Sequence, residues 1–415
     1  MKMYPILMII PLICQSCSSD NVAFDSSHIE TLQPAVNISS ELNLNLNTDK
    51  ALYKPGETVT ITAAGKIPVG AKIRYRHGND VVTSDNLAGN AWTWTAPSAN
   101  YTGYLADVYT QNDDHTETVY GTIAIDVSTD WTKYPRYGFV ATYDGSKTHS
   151  VIQDDISFLN RCHINGIQFY DWHYKHQWPL GGAKGNLMDS YTDIAIRTIY
   201  TSVIKDYIST QHAYGMKAMF YNLCYGALDD AKQDGVNEKW HLYDDAGHAT
   251  MDKLSMPTGW KSDIYLMDAA NENWQNYIAD RNDDVYACLD FDGYHIDQVG
   301  DRGNVYDYYG SKLNLTDGFA SFIKKMKTRQ LNKSLVMNAV ANFGSQQIAG
   351  TRDVDFLYSE LWSGESTFSD LLSVMKTNQS YNDSLAQVYA AYMNYNSSKS
   401  EFNTPGVLLT DAVMF

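Results

Sequence analysis

Basic residues are scarce in this chain. Its 31 lysines and arginines stand against 48 aspartates and glutamates, a formal net charge of −17. No basic run occurs, and a nucleic-acid binder needs a basic face, so nucleic acid is excluded as a partner. An acidic balance by itself supports solubility and little more. Cysteines are few as well: five in all, two of them, Cys14 and Cys17, in the first twenty residues. The other three, Cys162, Cys224 and Cys288, are odd in number and widely spaced. That argues against a disulfide framework or a zinc site and predicts buried thiols. The apolar run Met3–Ile13 falls well short of the ~20 residues that a membrane span requires. No GxSxG elbow occurs, so the serine-hydrolase reading fails. Cys224, in NLCYGA, has no evident paired base and does not read as a nucleophile.

What is present is material for a large core. The composition is 44% hydrophobic and 13% aromatic, which excludes wholesale disorder. Tyrosine is abundant at 31 residues. Its flat face and polar edge suit sugar rings, and equally the cores of β-rich domains. At the N-terminus, MKMYPILMIIPLICQSCSSDN reads as an export signal over residues 1–17. The residues around Cys17 resemble a bacterial lipoprotein cleavage site, with Cys17 as the lipidated residue. Cys14 stands where leucine is usual. The expectation is an exported bacterial protein, either a cell-surface or outer-membrane lipoprotein or plainly secreted. Any membrane association runs through that lipid anchor alone.

Residues 18–40 are polar and unpatterned, a linker. Residues 41–130 then carry short alternating runs, TVTITA, KIRYRH, AWTWTA, YLADVYT and GTIAIDV, separated by KPGE, GND, AGN and QNDD. Short strands at this spacing predict an immunoglobulin-like β-sandwich. From 134 to 415 strands and helices alternate. The strands are expected at 136–143, 164–170, 216–222, 293–297, 335–340, 355–362 and 386–395, and the helices at 149–161, 192–213, 271–288, 316–330 and 367–376. Repeated βα units imply a parallel sheet, and seven of them favour a (β/α)8 TIM-type barrel. No Gly-rich phosphate fingerprint follows the first strand, which weakens an open dinucleotide-binding sheet. The tail TPGVLLTDAVMF opens on Pro405 and reads as a helix start, so the barrel is expected to lack its last strand.

Barrel geometry ranks the carboxylates, because active sites form where the strands end. In FDGYHIDQVGDRG (291–303), Gly293, His295 and Asp297 share one face of a strand, and Asp292, Tyr294 and Ile296 the other. Asp297 then points inward at the C-terminal end. Asp292 lies at the opposite end, about 17 Å away, and Asp301 lies in the loop beyond. By the same parity Glu360, in DFLYSELW, is a second inward strand-end carboxylate. Two such groups are what glycoside hydrolysis needs. Trp362 beside Glu360 is a candidate for stacking on a sugar. The second strand runs into FYDWHYKHQWPLGG (169–182), where Tyr170, Asp171, Trp172, His173 and His176 crowd past a strand end. No partner cluster with metal spacing accompanies the histidines, so hydroxyl binding fits better than a metal. Asn222, Asn338 and Asn394 stand at or near strand ends, ready to bond a hydroxyl or to cap the next helix.

Together, INGIQFYDWHYKH, FDGYHIDQVGDRG, DFLYSELW and the final TPGVLLTDAVMF resemble glycoside hydrolase family 66, the dextranases and cycloisomaltooligosaccharide glucanotransferases. The resemblance runs from about Tyr137 to the end, with a similar sandwich before it. It implies retaining endo-hydrolysis of α-1,6-glucan, that is dextran and isomaltooligosaccharides, with no cofactor. By motif match it makes Asp297 the nucleophile and Glu360 the general acid/base, and it sets Tyr170 and Asp171 along the −1 sugar. His295, one pleat below Asp297, is expected to orient it by a hydrogen bond. The cyclising members carry an added carbohydrate-binding module late in the barrel, and about ten residues between YAAYMNY and the Pro405 helix leave no room for one. That favours a dextranase over a glucanotransferase. An eighth strand and a C-terminal β-domain are expected after Phe415. Their lack motivates a third reading, a surface glycan-binding lipoprotein without turnover.

Overall fold

The computed structural model describes residues 36–38, 44–362, 364–392 and 404–414. The expected signal, Cys17 and Asn394 lie outside them. Two layers of sheet form the N-terminal unit. One has five strands in the spatial order 36–38, 117–127, 102–111, 72–77, 80–86, and the other has three, in the order 45–48, 58–64, 91–95. Alternation explains the packing: Val59, Ile61 and Ala63 of one layer and Ile73, Tyr75, Ala106, Val108, Ile123 and Ile125 of the other face a common core. Tyr75 and Trp94 stack across it with centroids 4.3 Å apart. This is a β-sandwich. Val36–Ile38, inside the expected linker, is one of its strands and pairs in parallel with Glu117–Val119. Asp80–Asn86 escaped sequence reading because all seven residues are exposed, leaving no apolar alternation to detect.

The second unit is a seven-stranded parallel sheet curled into a nearly closed barrel. Its strands are β1 (Tyr137–Val140), β2 (Gly166–Phe169), β3 (Lys217–Leu223), β4 (Gly293–Asp297), β5 (Ser334–Val340), β6 (Leu357–Leu361) and β7 (Gln387–Ala391), each paired with its neighbour in sequence. All seven expected strands form. The eighth is not among the described residues. The helices are α1 (His149–Arg161), α2 (Thr201–Ala213), α3 (Glu272–Cys288), α4 (Leu315–Arg329), α5 (Ser345–Thr351), α6 (Phe368–Tyr381) and α7 (Thr404–Met414). Side-chain caps start several of them. Thr148 caps α1, Asn271 caps α3, Asn314 caps α4, and Thr367 with Asp370 forms a capping box on α6. Helix α2 starts at Thr201, not 192, because Ser190–Thr192 and Thr198–Tyr200 pair as a hairpin tied by Asp193 and Arg197. Helix α5 was not expected, since seven residues are too few to show a helical period.

The strands' two faces have different jobs. Phe220, Tyr294, Ile296, Leu335 and Met337 pack outward against the helices. Met219, Val336 and Phe356 pack inward with Trp131, which closes the N-terminal end of the barrel. Tyr137 of β1 meets Phe356 and Tyr358, at centroid distances of 5.3 and 6.0 Å, which brings the first strand beside the sixth. The sandwich is fastened beside α1 and α2 by Asn160 Nδ2 donating to Thr48 O at 2.6 Å and Ala51 N donating to Tyr214 O at 3.0 Å. The three thiols are free: Cys224 is buried, Cys288 half-buried and Cys162 exposed, the last against expectation.

Candidate active site

The four aspartates of 290–301 separate cleanly. Asp290 is exposed, and Asp301 accepts from Gly303 N at 2.8 Å in a loop turn. Asp292, just before β4 at the closed end, accepts from Lys217 Nζ, from His212 Nε2 and from Ala218 N at 2.8–2.9 Å. These partners outweigh its burial and hold it below the usual carboxylate range. Asp297 ends β4 at the open face. Its Oδ2 accepts from Tyr221 Oη at 2.8 Å and its Oδ1 from Asn338 Nδ2 at 2.9 Å. The same Asn338 nitrogen lies 3.1 Å from Glu360 Oε2. Strand order explains the meeting, since β5 runs between β4 and β6. Asn338, Asp297 and Glu360 all point inward.

Asp297 is half-buried, with its carboxyl largely desolvated. Burial first, and the charge of Glu360 second, push it up to about 7. Tyr221, the Gln298 backbone and Asn338 pull in the opposite direction. Tyr170 is 38% exposed, with its ring 4.7 Å from that of Tyr221. Burial, and then the charges of Asp171, Asp297 and Glu360, keep its hydroxyl protonated. Next to it Asp171 adopts φ +51°, a left-handed conformation. It pairs with Arg197 at 2.7 Å, and Arg197 also holds the sealed Asp193. Trp362 stacks on Tyr392 at 4.7 Å, beyond Glu360.

Several expected sugar contacts are corrected. Trp172 is 0% exposed, donates to Tyr221 O at 3.0 Å and packs against Phe220 and Phe291. His176 Nδ1 lies 2.8 Å from Asn222 Oδ1, and Asn222 Nδ2 donates to His176 O at 2.7 Å. His173 is wholly buried beside His176. Burial holds both rings neutral, with His176 lowered to about 4. The loop after β2 thus folds back over β3 as a buried clamp. Lys175 and Gln177 bond Asp230 and Asp234, and His176 bonds Asn222, while both ring nitrogens of His173 are buried with no partner among the described residues; in sequence this run looked like a surface. His295 is corrected too. It is 1% exposed, makes no hydrogen bond to Asp297, and stacks between Tyr137 at 5.6 Å and Tyr221 at 6.3 Å. Burial lowers it to about 3. It supports Tyr221, and Tyr221 holds Asp297. Sequence reading missed Tyr221 and Arg197. Alternation along MKAMFYN would have found the first, because Tyr221 shares the inward parity of Met219. No local signal marks the second. Among the described residues no cluster has the composition of a metal site.

A carboxylate pair on next-but-one strands at the C-terminal ends of a parallel α/β barrel defines a class, barrels that carry their site at that end. Within that class the chain belongs to glycosyl hydrolase family 66, whose sequence model matches residues 48–415. A cycloisomaltooligosaccharide glucanotransferase of Niallia circulans is 31% identical over 373 residues, covering 84% of this chain and 38% of that protein. A dextranase of Streptococcus salivarius is 23% identical over 317 residues, covering 70% of this chain and 38% of that protein. The crystal structure of a Paenibacillus sp. cycloisomaltooligosaccharide glucanotransferase complexed with cycloisomaltoheptaose matches with a TM-score of 0.76 at 32% identity. It covers 85% of this chain and 53% of that one. The chain therefore spans 38% of the length of these curated relatives.

Proposed function

We propose that this chain is an endo-acting retaining glycoside hydrolase that cleaves α-1,6-glucosidic bonds of dextran. The observation that carries this reading is the pair Asp297 and Glu360, joined through one amide nitrogen at 2.9 and 3.1 Å. That bridge caps the separation of the two oxygens at about 6 Å, below the range of about 6.5 to 9.5 Å for inversion. In the first half-reaction Asp297 Oδ attacks the anomeric carbon while the Glu360 carboxyl gives its proton to the leaving O6. The anomeric C–O bond breaks and a glucosyl ester forms on Asp297. In the second, Glu360 takes a proton from water, water oxygen bonds to the anomeric carbon, and the ester bond to Asp297 breaks. The donors converging on Asp297 favour its anionic form, as attack requires. Tyr170, Asp171 and Trp362 are the side chains in this set with surface left to meet the sugar.

Dextran release of reducing ends tests the reading, with Asp297→Asn and Glu360→Gln each expected to lose at least about 1000-fold in kcat. Retained activity in either overturns the assignment. A second reading has its own support: the glucanotransferase relatives stand at 31–32% identity, against 23% for the dextranase. In that chemistry the glucan's own terminal O6 replaces water. Chromatography that finds only linear products excludes it. We also read the N-terminal sandwich as immunoglobulin-like and the chain as exported with Cys17 lipidated. Mass spectrometry of the mature N-terminus tests the latter, and an unmodified Cys17 removes it.

A further inference from the structure

We propose that Asn338 is the positioning residue that sets the spacing of the carboxylate pair and supports the anionic form of Asp297. Strand register puts it there. Ile296 pairs with Met337, so Asn338 stands alongside Asp297, and on its other flank Asn338 pairs with Tyr358, two residues before Glu360. Among the described residues its Nδ2 is the one donor that touches both acids, at 2.9 and 3.1 Å. A planar amide directs its two N–H bonds about 120° apart, and each hydrogen bond wants near-linear geometry. One N–H to each acid then fixes the two oxygens about 5 Å apart, within the retaining range of about 5 to 5.5 Å.

Among the described residues the side chain caps no helix, it is 5% exposed, and its Oδ1 is buried without a hydrogen-bond partner. Among them, only the two acids hold the amide. Turned over, it would aim Oδ1 at both carboxylates. The titratable groups that feel Asp297 are Glu360 and Tyr358 from β6, Tyr392 just after β7, Tyr221, Cys224 and Tyr225 from β3 and its loop, Tyr294 from β4, and Tyr170 from the end of β2; the neutral His295 lies one pleat below. None of them touches both acids.

The proposal rests on the retaining-hydrolase reading, and its test separates the two. Asn338→Ala is expected to lower kcat on dextran about 100-fold, with KM within about threefold of the parent. The acidic limb of kcat/KM moves to higher pH, because Asp297 loses a donor that favours its anion. Asn338→Asp keeps the shape and removes the donor, and moves the limb the same way. Carboxyl 13C NMR titration needs no substrate, with Asp297→Asn identifying the signal. An upward-shifted Asp297 titration in both variants supports the proposal, even if the parent proves inactive on dextran and the functional reading falls. An unshifted titration, or variants that raise KM alone, would make Asn338 a sugar contact and overturn it.

Discussion

The two ends of strand β4 hold carboxylates five residues apart in sequence and opposite in condition. Asp292 at the closed end is met by a lysine, a histidine and a backbone N–H, and is held below its ordinary range. Asp297 at the open end meets a phenol, an amide and a second acid, and is pushed up to about 7. A structural carboxylate is neutralised by cations. Asp297 is desolvated beside a like charge and given only neutral donors, which, on the proposed function, leaves its charge available to an anomeric carbon at a cost in stability.

Substitutions at the two ends sharpen that contrast. The largest expected effect is on turnover: Asp297→Asn abolishes dextran cleavage, whereas Asp292→Asn leaves kcat per folded molecule within about threefold. Next is Tyr221→Phe, expected to lower kcat about 10- to 100-fold and to move the acidic limb of the pH profile upward, since one donor to the anion is lost. Stability should move the other way. Asp292→Asn costs about 1–3 kcal/mol in urea unfolding, because it strands Lys217 and His212. Asp297→Asn gains about 1 kcal/mol at pH 7, because it removes a carboxylate that folding makes harder to ionise. Equal destabilisation by both would break the contrast.

The smallest effect is in pH. His212 is raised by its hydrogen bond to Asp292, so its contribution is full below its unfolded value of about 6.5 and fades as pH rises through the folded value. Asp292 is lowered, so its contribution is present above about 3.9 and lost as pH falls through its folded value. The latch is therefore strongest between about pH 4 and 6.5. Thermal melts across pH check this: the difference between parent and Asp292→Asn should be largest in that window and shrink on both sides.

Much of this was legible beforehand. The inward parity of Asp297 and Glu360 follows from the two-residue period of a strand, and their placement at one mouth follows from parallel βα repeats. The seven barrel strands and the limits of α1 followed from the same patterns. What misled was the stretch after β2. Its histidines and tryptophan looked like surface, because a polar run past a strand end usually is, and their partners Asn222 and Tyr221 are some fifty residues away. His295 misled for a related reason. Parity put it beneath Asp297, but its ring prefers the flat faces of Tyr137 and Tyr221, and nothing local reports that stack.

The sequence by itself determined which residues face the barrel's interior and at which end, because side-chain direction is fixed by local backbone geometry. Only the tertiary structure decided what each inward group touches. Asn338 lies 41 residues from Asp297 and 22 from Glu360, and one nitrogen joins them. That junction depends on the register of three strands, which packing across the whole sheet sets and no local stretch encodes.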